Sequence, residues 1–242
     1  SNALPVRTLP VRIETIEIKH DVALLRLALP KAPSFAFYAG QYIDLLLPGN
    51  ISRSYSIANS PDQEGVLELH IRKRENGVCS EMIFGAEPKI KEKGIVRVTG
   101  PLGTFTLQKD SDKPIVLLAT GTGYAPIRSI LLDLIHQNSE RQVHFYWGAR
   151  QQEDLYALEE AEVVIGRLKN AKFSPVLSKP DSDWKGENGY VQNVAAQNYP
   201  DLSQYEVYAC GSPAMTESAQ SLLTQKCALP EDTFFCDAFS PA

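Results

Sequence analysis

The sequence predicts two domains, an antiparallel β-barrel followed by an α/β domain with a doubly wound, parallel, five-stranded sheet. Three observations predict this fold. Short strand patterns separated by glycine and proline turns fill the first half, strands alternate with helices in the second half, and a Gly-Thr-Gly turn at 121–123 joins the first strand and helix of that second half. Short, regularly spaced strands are typical of barrels and sandwiches, and strand–helix alternation is typical of parallel sheets.

The predicted barrel domain covers residues 11–108. Its strand candidates are rich in aliphatic residues and bounded by turn-forming residues; they cover 22–29, 42–47, 67–72 and 95–98. A sandwich fits the same spacing, but a closed barrel leaves no exposed sheet edge. Residues 1–10 are predicted to be a tag remnant, Ser1-Asn2-Ala3, and a proline-bearing linker, which suggests that another domain precedes them in the full-length gene.

The predicted α/β domain covers residues 113–242, after a short polar stretch at 108–112. Its strand candidates cover 115–119, 143–147, 173–177, 207–210 and 233–236. Its helix candidates cover 126–137, 155–165 and 214–225. In sheets of this kind, ligands lie beyond the carboxyl ends of the strands.

Composition excludes several classes of function. The chain has 242 residues and a net charge of −5, which gives no reason to expect a nucleic-acid partner. No apolar run approaches the roughly 20 residues that span a bilayer, so no membrane partner is expected. The four cysteines, at positions 79, 210, 227 and 236, lack the CxxC spacing of metal sites. We therefore expect free thiols, no metal site in this chain, and a reducing cytoplasmic location.

The Gly-Thr-Gly turn is the strongest candidate for ligand binding. Glycines at a strand-to-helix turn let the backbone approach a ligand closely, and the positive end of the following helix favours a phosphate there. An ordinary tight turn without a ligand is the alternative. Taken alone, the turn leaves both interpretations open.

Three weaker patterns lie in the barrel half. Arg53 and Tyr55 share one face of a strand, which suits a ligand with an anionic group and a planar ring, although packing on a half-exposed strand explains them as well. Gly77 and Ser80 precede a short helical stretch and offer amide and hydroxyl groups to a phosphate; a serine-capped turn is the alternative. We expect His70 to be a strand histidine without an acid–base role.

Together, the motifs resemble those of the ferredoxin–NADP reductase superfamily of flavoproteins, and the resemblance spans nearly the whole chain. The matching motifs occur in order as Arg53-x-Tyr55-Ser56, Gly77-x-x-Ser80, Gly100-Pro101-Leu102-Gly103, Gly121-Thr122-Gly123-x-Ala125-Pro126 and Cys210-Gly211-x-Pro213-x-Met215. The closing Phe235-Cys236-Asp237-Ala238-Phe239 resembles the aromatic carboxy-terminal segment of that superfamily. Such proteins combine a flavin-binding barrel with a nicotinamide-nucleotide domain.

The resemblance implies an FAD site in the barrel domain. Arg53 is expected to hold the pyrophosphate, Tyr55 to stack on the isoalloxazine, and the Ser56 hydroxyl to reach flavin N5. The remaining expected contacts run along the ribityl chain and the phosphates, and comprise Ser54, His70, Ile71, Arg72, Gly77, Val78, Cys79 and Ser80.

The resemblance likewise implies a nicotinamide-nucleotide site in the second domain. The residues expected to bind the nucleotide are Thr120, Gly121, Thr122, Gly123, Pro126, Arg150, Gly211, Pro213 and Met215. The residues expected at the reacting rings are Ser56, Cys210, Asp237 and Phe239, with Phe239 shielding the flavin. Members of the plant type end on an aromatic residue, whereas three residues, 240–242, follow Phe239 here.

The choice of nucleotide rests on a few residues. Glu153 and Asp154 resemble NADH-using reductases and would repel a 2′-phosphate, whereas Ser178, Lys179 and Tyr190 faintly resemble an NADPH site. We therefore expect NADH in preference to NADPH. By the same resemblance, hydride passes from the nicotinamide to FAD, and electrons then pass to an iron–sulfur centre or a partner protein.

Within the superfamily, the chain most resembles the reductases that serve 3,6-dideoxyhexose synthesis for bacterial surface polysaccharide. Those reductases use a [2Fe–2S] centre with a Cys-x4-Cys-x2-Cys spacing, which this chain lacks, so the centre is expected only in a domain absent from it. Two alternatives remain open. One is a free-standing NAD(P)H:flavin reductase, and the other is a flavin-binding regulatory module without hydride transfer.

Overall fold

The computed structural model describes residues 3–239, which form two compact units. The first contains the described residues up to Leu107 together with Arg128–Asp133, and the second contains Gln108–Ile127 and the described residues from Leu134 onward. Ser1 and Asn2 of the predicted tag remnant, and residues 240–242 after Phe239, lie outside the described residues.

The first unit contains one curled antiparallel sheet of six strands. Its strands are β1 (Arg7–Lys19), β2 (Val22–Ala28), β3 (Tyr42–Leu47), β4 (Ile51–Ser56), β5 (Val66–Arg72) and β6 (Ile95–Leu102), and its helix is α1 (Val78–Phe84). The strand order is β4-β3-β6-β1-β2-β5. The outermost strands approach each other after β4, where Ile57 forms a bridge with Leu69. The predicted antiparallel barrel is therefore confirmed.

Alternating side chains build the core of this unit. Along β1, Leu9, Val11 and Ile13 are buried, and the residues between them are exposed. This period of two is the strand pattern expected of a sheet with one face on a core. The aliphatic side chains of the other strands contribute to the same core, with Ile43, Leu45, Leu67 and Leu69 all fully buried.

The linker predicted over residues 1–10 is wrong from Arg7 onward, because β1 begins there. The two prolines of this segment are the reason why the sequence predicts a linker here. Pro10 lies opposite Arg97 of β6, whereas the pairing of β1 with β2 runs only from Arg12 onward. A proline without an N–H is tolerated where one side of the strand has no partner.

The second unit contains a parallel sheet of six strands with helices. Its strands are β7 (Ile115–Thr120), β8 (Val143–Ala149), β9 (Ala171–Leu177), β10 (Glu187–Asn188), β11 (Glu206–Gly211) and β12 (Phe234–Ala238). Its helices are α2 (Tyr124–His136), α3 (Leu158–Gly166), α4 (Val191–Asn198) and α5 (Pro213–Lys226). The order β10-β9-β8-β7-β11-β12 reverses direction at β7, as in doubly wound folds.

The predicted elements of this unit differ from the structure in a few places. The sheet has six strands instead of five, because the two-residue β10 adds to its edge beside β9. Helix α4 was not predicted, since only Val191, Val194 and Ala195 give it an apolar face. Helix α3 begins at Leu158, three residues later than predicted, after a short 3-10 turn at Gln152–Asp154.

The first unit of this chain carries its own apolar core, and so does the second, where Val116, Leu118, Val207 and Ala209 are fully buried. Within residues 3–239, no helix has both the length and the apolar character needed to cross a bilayer.

Candidate functional site

In the first unit, strand β4, helix α1 and the segment before α1 bring four residues near one another. They are Arg53, Tyr55, Arg74 and Cys79. The Tyr55 hydroxyl and the Cys79 thiol lie close enough to perturb each other's pKa. Burial raises the pKa of Tyr55 well above its ordinary value, and Cys79 adds to the rise, whereas the positive charges of Arg53 and Arg74 oppose it. Tyr55 is therefore a neutral phenol with two guanidinium groups nearby.

The start of α1 leaves its amide groups open. Gly77 precedes the helix in an extended conformation, and no side chain caps it. The Ser80 hydroxyl accepts a hydrogen bond of 2.6 Å from the Arg74 amide instead. Free helix N–H groups beside two arginines suit a doubly charged anion such as a diphosphate. The residues at 77–80 thus fit the phosphates of FAD.

The two predicted site serines of β4, Ser54 and Ser56, have different environments. Ser54 is exposed, and its hydroxyl donates to a carboxylate oxygen of Asp44 at 2.6 Å. Ser56, at the end of the strand opposite Tyr42, is buried. Ser54 therefore offers a ligand its backbone more readily than its hydroxyl, whereas a buried hydroxyl such as that of Ser56 gains from a hydrogen-bond partner.

Strand β5 places its three predicted residues differently. His70 is buried, and burial, with Arg128 of the same unit, lowers its pKa to about 3. Ile71 lies in the apolar core. The Arg72 Nε lies 3.7 Å from a carboxylate oxygen of Asp21, yet Nε and one terminal nitrogen of Arg72 are buried without a hydrogen-bond partner among the described residues. One carboxylate oxygen of Asp21 is buried without a partner within the described chain as well, so these atoms form a loose ion pair that faces away from solvent and offer no open donor to a ligand.

In the second unit, the turn after β7 and the turn after β11 meet at the carboxyl edge of the sheet. Gly121–Gly123 forms a 3-10 turn that leads into α2, and no side chain caps it. The Thr120 hydroxyl accepts the Ser212 amide at 3.0 Å instead of capping its own turn. The amides of the turn therefore remain available to the phosphates of a nucleotide.

Two glycines allow the turns to meet. A Cβ atom on Gly123 would lie 2.1 Å from the Cys210 carbonyl oxygen, and one on Gly211 would lie 2.0 Å from the Thr120 hydroxyl oxygen. Gly211 also has a φ of 144°, which side chains rarely permit. The motif glycines are thus required by the close approach of two loops.

Cys210, Asp237 and Phe239 lie at the same edge. Cys210 pairs with Asp237 across β11 and β12, and the Phe239 amide donates to the Gly211 carbonyl at 2.7 Å. Burial raises the pKa of Cys210 well above its ordinary value, and Asp237 raises it further, so the thiol stays protonated. Burial also raises the pKa of Asp237, to about 6. Cys210 is thus suited to contact a ligand and unsuited to act as a nucleophile.

The other predicted nucleotide residues flank this edge. Pro126 is buried in the first turn of α2, Pro213 begins α5, and the Met215 amide donates to the Ser212 hydroxyl at 3.2 Å. Arg150 is exposed, directly after β8.

Three residues near these sites were not predicted. Ser212 caps α5, and the pattern of a serine before a proline could have shown it. Arg74 approaches Tyr55, and Trp147 donates its indole N–H to the Gly121 carbonyl at 3.0 Å. No sequence signal marks either of these, because both act through contacts made only in the folded chain.

Comparison with known proteins matches both units to described families. An oxidoreductase FAD-binding domain matches residues 11–107, and an oxidoreductase NAD-binding domain matches residues 117–221. A protein of Yersinia pestis named CDP-6-deoxy-L-threo-D-glycero-4-hexulose-3-dehydrase reductase is 43% identical over 237 residues, which cover 98% of this chain and 70% of that protein.

Two further proteins bear on the function. An NAD(P)H-flavin reductase of Vibrio harveyi is 33% identical over 213 residues, covering 87% of this chain and 90% of that protein. The crystal structure of a cytochrome P450 reductase from Amycolatopsis aligns with a TM-score of 0.88 and 30% identity, covering 98% of this chain and 71% of the other.

Proposed function

This chain belongs to the ferredoxin reductase family of FAD- and NAD-binding oxidoreductases, and we propose that it is the reductase for a CDP-6-deoxyhexulose dehydrase in 3,6-dideoxyhexose synthesis. In this role it takes reducing equivalents from NADH and delivers them to the dehydrase. The observation that carries the proposal is the 43% identity to the Yersinia pestis dehydrase reductase, sustained over 98% of this chain. The proposed product is a deoxygenated sugar nucleotide.

The site residues suit positioning better than proton transfer. FAD, when bound, supplies a carrier that accepts two electrons together and releases them singly. The pKa of His70 lies far below neutral pH, and those of Tyr55 and Cys210 lie far above it, so these three side chains stay uncharged at pH 7. Arg53 and the open amides of α1 would bind the phosphates of FAD, and the Tyr55 ring would stack on its isoalloxazine. The chemistry therefore depends on orientation and on exclusion of water.

NADH is proposed as the electron donor. The segment after β8 carries Glu153, exposed, and Asp154, whose carboxylate accepts the Gln151 amide at 3.3 Å. Two acidic groups there disfavour a 2′-phosphate. Lys179 is exposed, with its amide bonded to the Arg150 carbonyl.

Substitution at Lys179 tests this choice. Lys179→Glu should leave kcat/KM for NADH nearly unchanged and weaken any residual use of NADPH, because only NADPH brings a 2′-phosphate that a cation could bind. Steady-state kinetics with both nucleotides provides the measurement. A collapse of NADH turnover in this variant would refute the assignment.

The acceptor is proposed to be an iron–sulfur centre held by another domain or a partner protein. The chain contains no Cys-x4-Cys-x2-Cys spacing, and its four cysteines are free thiols. Free thiols also support the proposed cytoplasmic location.

Reconstitution tests the proposed pathway. The FAD-loaded chain is combined with NADH, a plant-type [2Fe–2S] ferredoxin, the dehydrase and its sugar nucleotide, and the sugar product is quantified. We expect deoxygenated product that depends on both the chain and the ferredoxin. NADH oxidation without product, whatever iron–sulfur protein is supplied, would contradict the proposal.

A second candidate is a free-standing flavin reductase, because the Vibrio harveyi relative is matched over 90% of its length. Such an enzyme binds flavin as a substrate and releases it reduced. Gel filtration separates the two candidates. Flavin that stays with the chain supports the electron-transfer role, and flavin that elutes separately and raises NADH oxidation when added back supports the second candidate.

A further inference from the structure

Trp147 holds both ends of the turn that is proposed to bind the nucleotide. It lies in β8 beside Ala119 of β7 and is fully buried. Its indole N–H donates to the Gly121 carbonyl at 3.0 Å. Its ring stacks on Tyr124, the first residue of α2, with centroids 4.4 Å apart and planes 18° apart. One side chain therefore contacts the residues that begin and follow the turn.

The hydrogen bond to Gly121 determines where the next amide points. The Gly121 carbonyl accepts the Tyr124 amide as well as the indole, so both donors fix its direction. The peptide between Gly121 and Thr122 is trans, since the cis peptides of the described chain lie elsewhere. In a planar trans peptide the carbonyl and the next N–H point in opposite directions. The Thr122 amide therefore points away from Trp147.

A constraint of this kind is needed at this position. Gly121 has a φ of 54°, and glycine adopts many conformations at low cost, so the turn has little intrinsic preference for one of them. The Thr120 side chain is bonded to Ser212 and does not cap the turn. Fixing the turn before binding reduces the entropy that the ligand must offset.

We propose that Trp147 is a positioning residue that aims the Thr122 amide at the diphosphate of the nicotinamide nucleotide. This inference rests on the proposed function only in taking the turn as the nucleotide site. Trp147 touches neither nucleotide nor flavin in this proposal and acts through the Gly121 peptide.

Removal of the indole donor tests the inference. Trp147→Phe keeps an aromatic ring against Tyr124 and removes the N–H. Without the donor the free turn adopts other conformations, and NAD+ must select the aimed one, so the Kd of NAD+, measured by calorimetry, should rise by as much as one net hydrogen bond allows, roughly 2- to 12-fold. The KM for NADH should rise in proportion while kcat is unchanged, because an interaction common to ground and transition states is lost.

The chain offers a matched control and a shape-preserving variant. Trp184, the second of two tryptophans, donates its indole N–H to the Glu187 carbonyl at 2.9 Å in the same unit, so Trp184→Phe also loses an indole hydrogen bond, an exposed one that does not involve the turn. In the Trp184→Phe variant, Trp147 is the one remaining tryptophan and can be replaced by benzothienylalanine. This analogue has sulfur in place of the indole N–H and keeps the shape of the ring.

The sulfur analogue gives the deciding result if Trp147→Phe folds poorly. A weaker Kd for NAD+ than that of Trp184→Phe alone, in a variant that unfolds cooperatively, supports the inference. An unchanged Kd, a fall in kcat alone, or an equal loss in Trp184→Phe overturns it. Binding of NAD+ needs no electron acceptor, so failure of the dehydrase reconstitution together with a weakened Kd would overturn the proposed pathway and leave this inference standing.

Discussion

Gly211 is a residue whose backbone conformation and close surroundings both require glycine. A Cβ atom there would lie 2.0 Å from the Thr120 hydroxyl oxygen, and its φ is 144°. Gly211→Ala should lower the free energy of unfolding by about 1–3 kcal/mol from backbone strain and should weaken NAD+ binding. Chemical denaturation and calorimetric titration provide the two measurements.

Gly166→Ala is the matched control for this prediction. Gly166 ends α3, and a Cβ atom there would meet nothing within 4 Å. This substitution should leave stability equal or slightly higher, because alanine favours helix over glycine. Equal effects of the two substitutions would contradict the account of Gly211.

Asp237 gives the protein a specific pH dependence. Burial raises its pKa from 3.8 to about 6. Between these values the unfolded chain releases the proton first, so this group lowers stability as the pH rises through the window, and its effect is constant above it. Asp237→Asn should remove that component from a plot of melting temperature against pH.

The control for the pH prediction is Asp183→Asn, which alters an exposed carboxyl group in a loop. It should keep the wild-type pH profile. A wild-type profile in Asp237→Asn would show that the carboxyl group titrates alike in the folded and unfolded chains.

At the residue scale, the sequence predicted contacts between residues on the same strand. It did not predict contacts between residues that are distant in sequence and meet only in the folded chain. Arg53 and Tyr55 are two positions apart on β4, so their common face follows from strand geometry. Arg74 reaches the same tyrosine from the segment before α1, and Trp147 reaches Gly121 from a neighbouring strand. Such distant contacts depend on tertiary packing, which local patterns do not encode.

At the scale of elements, a buried ion pair ties the segment before β7 to the sheet. Arg141 donates to a Glu206 carboxylate oxygen at 2.8 Å and to the carbonyls of Gln108 and Lys113. The Tyr208 hydroxyl donates to the same carboxylate oxygen at 2.8 Å. The carboxylate, the guanidinium and two backbone carbonyls thus satisfy one another in a buried network.

Breaking this pair should be costly. Arg141→Met leaves the Glu206 carboxylate buried without its cation and should lower the free energy of unfolding by about 3–5 kcal/mol. Lys169→Met breaks the exposed pair with Glu140 and should cost less than about 1 kcal/mol. Urea denaturation measures both. Similar small losses would contradict the importance given to burial.

The elements that were predicted best are those with long apolar runs. Strands β7 and β8 are buried along nearly their whole length, and α2 presents Ile127, Ile130, Leu131 and Leu134 at helical spacing. Strand β10 has two exposed residues and no pattern at all. Its pairing comes from the edge of β9, which the sequence of β10 does not reveal.

At the scale of the whole molecule, the change in sequence pattern near residues 108–112 predicted the architectures of both units. Short strands with turns became an antiparallel sheet, and alternating strands and helices became a parallel one. Each architecture follows from local periodicity and turn residues, which a sequence displays directly. The pKa values of His70, Tyr55 and Cys210 depend in addition on burial, which shifts each of them further from neutral pH and emerges only on folding.

Anaerobic mixing of the FAD-loaded chain with NADH tests the central claim most directly. The visible absorbance of the bound flavin is followed in a stopped-flow instrument, with binding of NAD+ established beforehand by calorimetry. We predict rapid loss of the oxidised flavin band at a rate that saturates with NADH. Persistence of that band with both FAD and nucleotide bound would contradict the account and would identify the chain as a flavin-binding module without reductase activity.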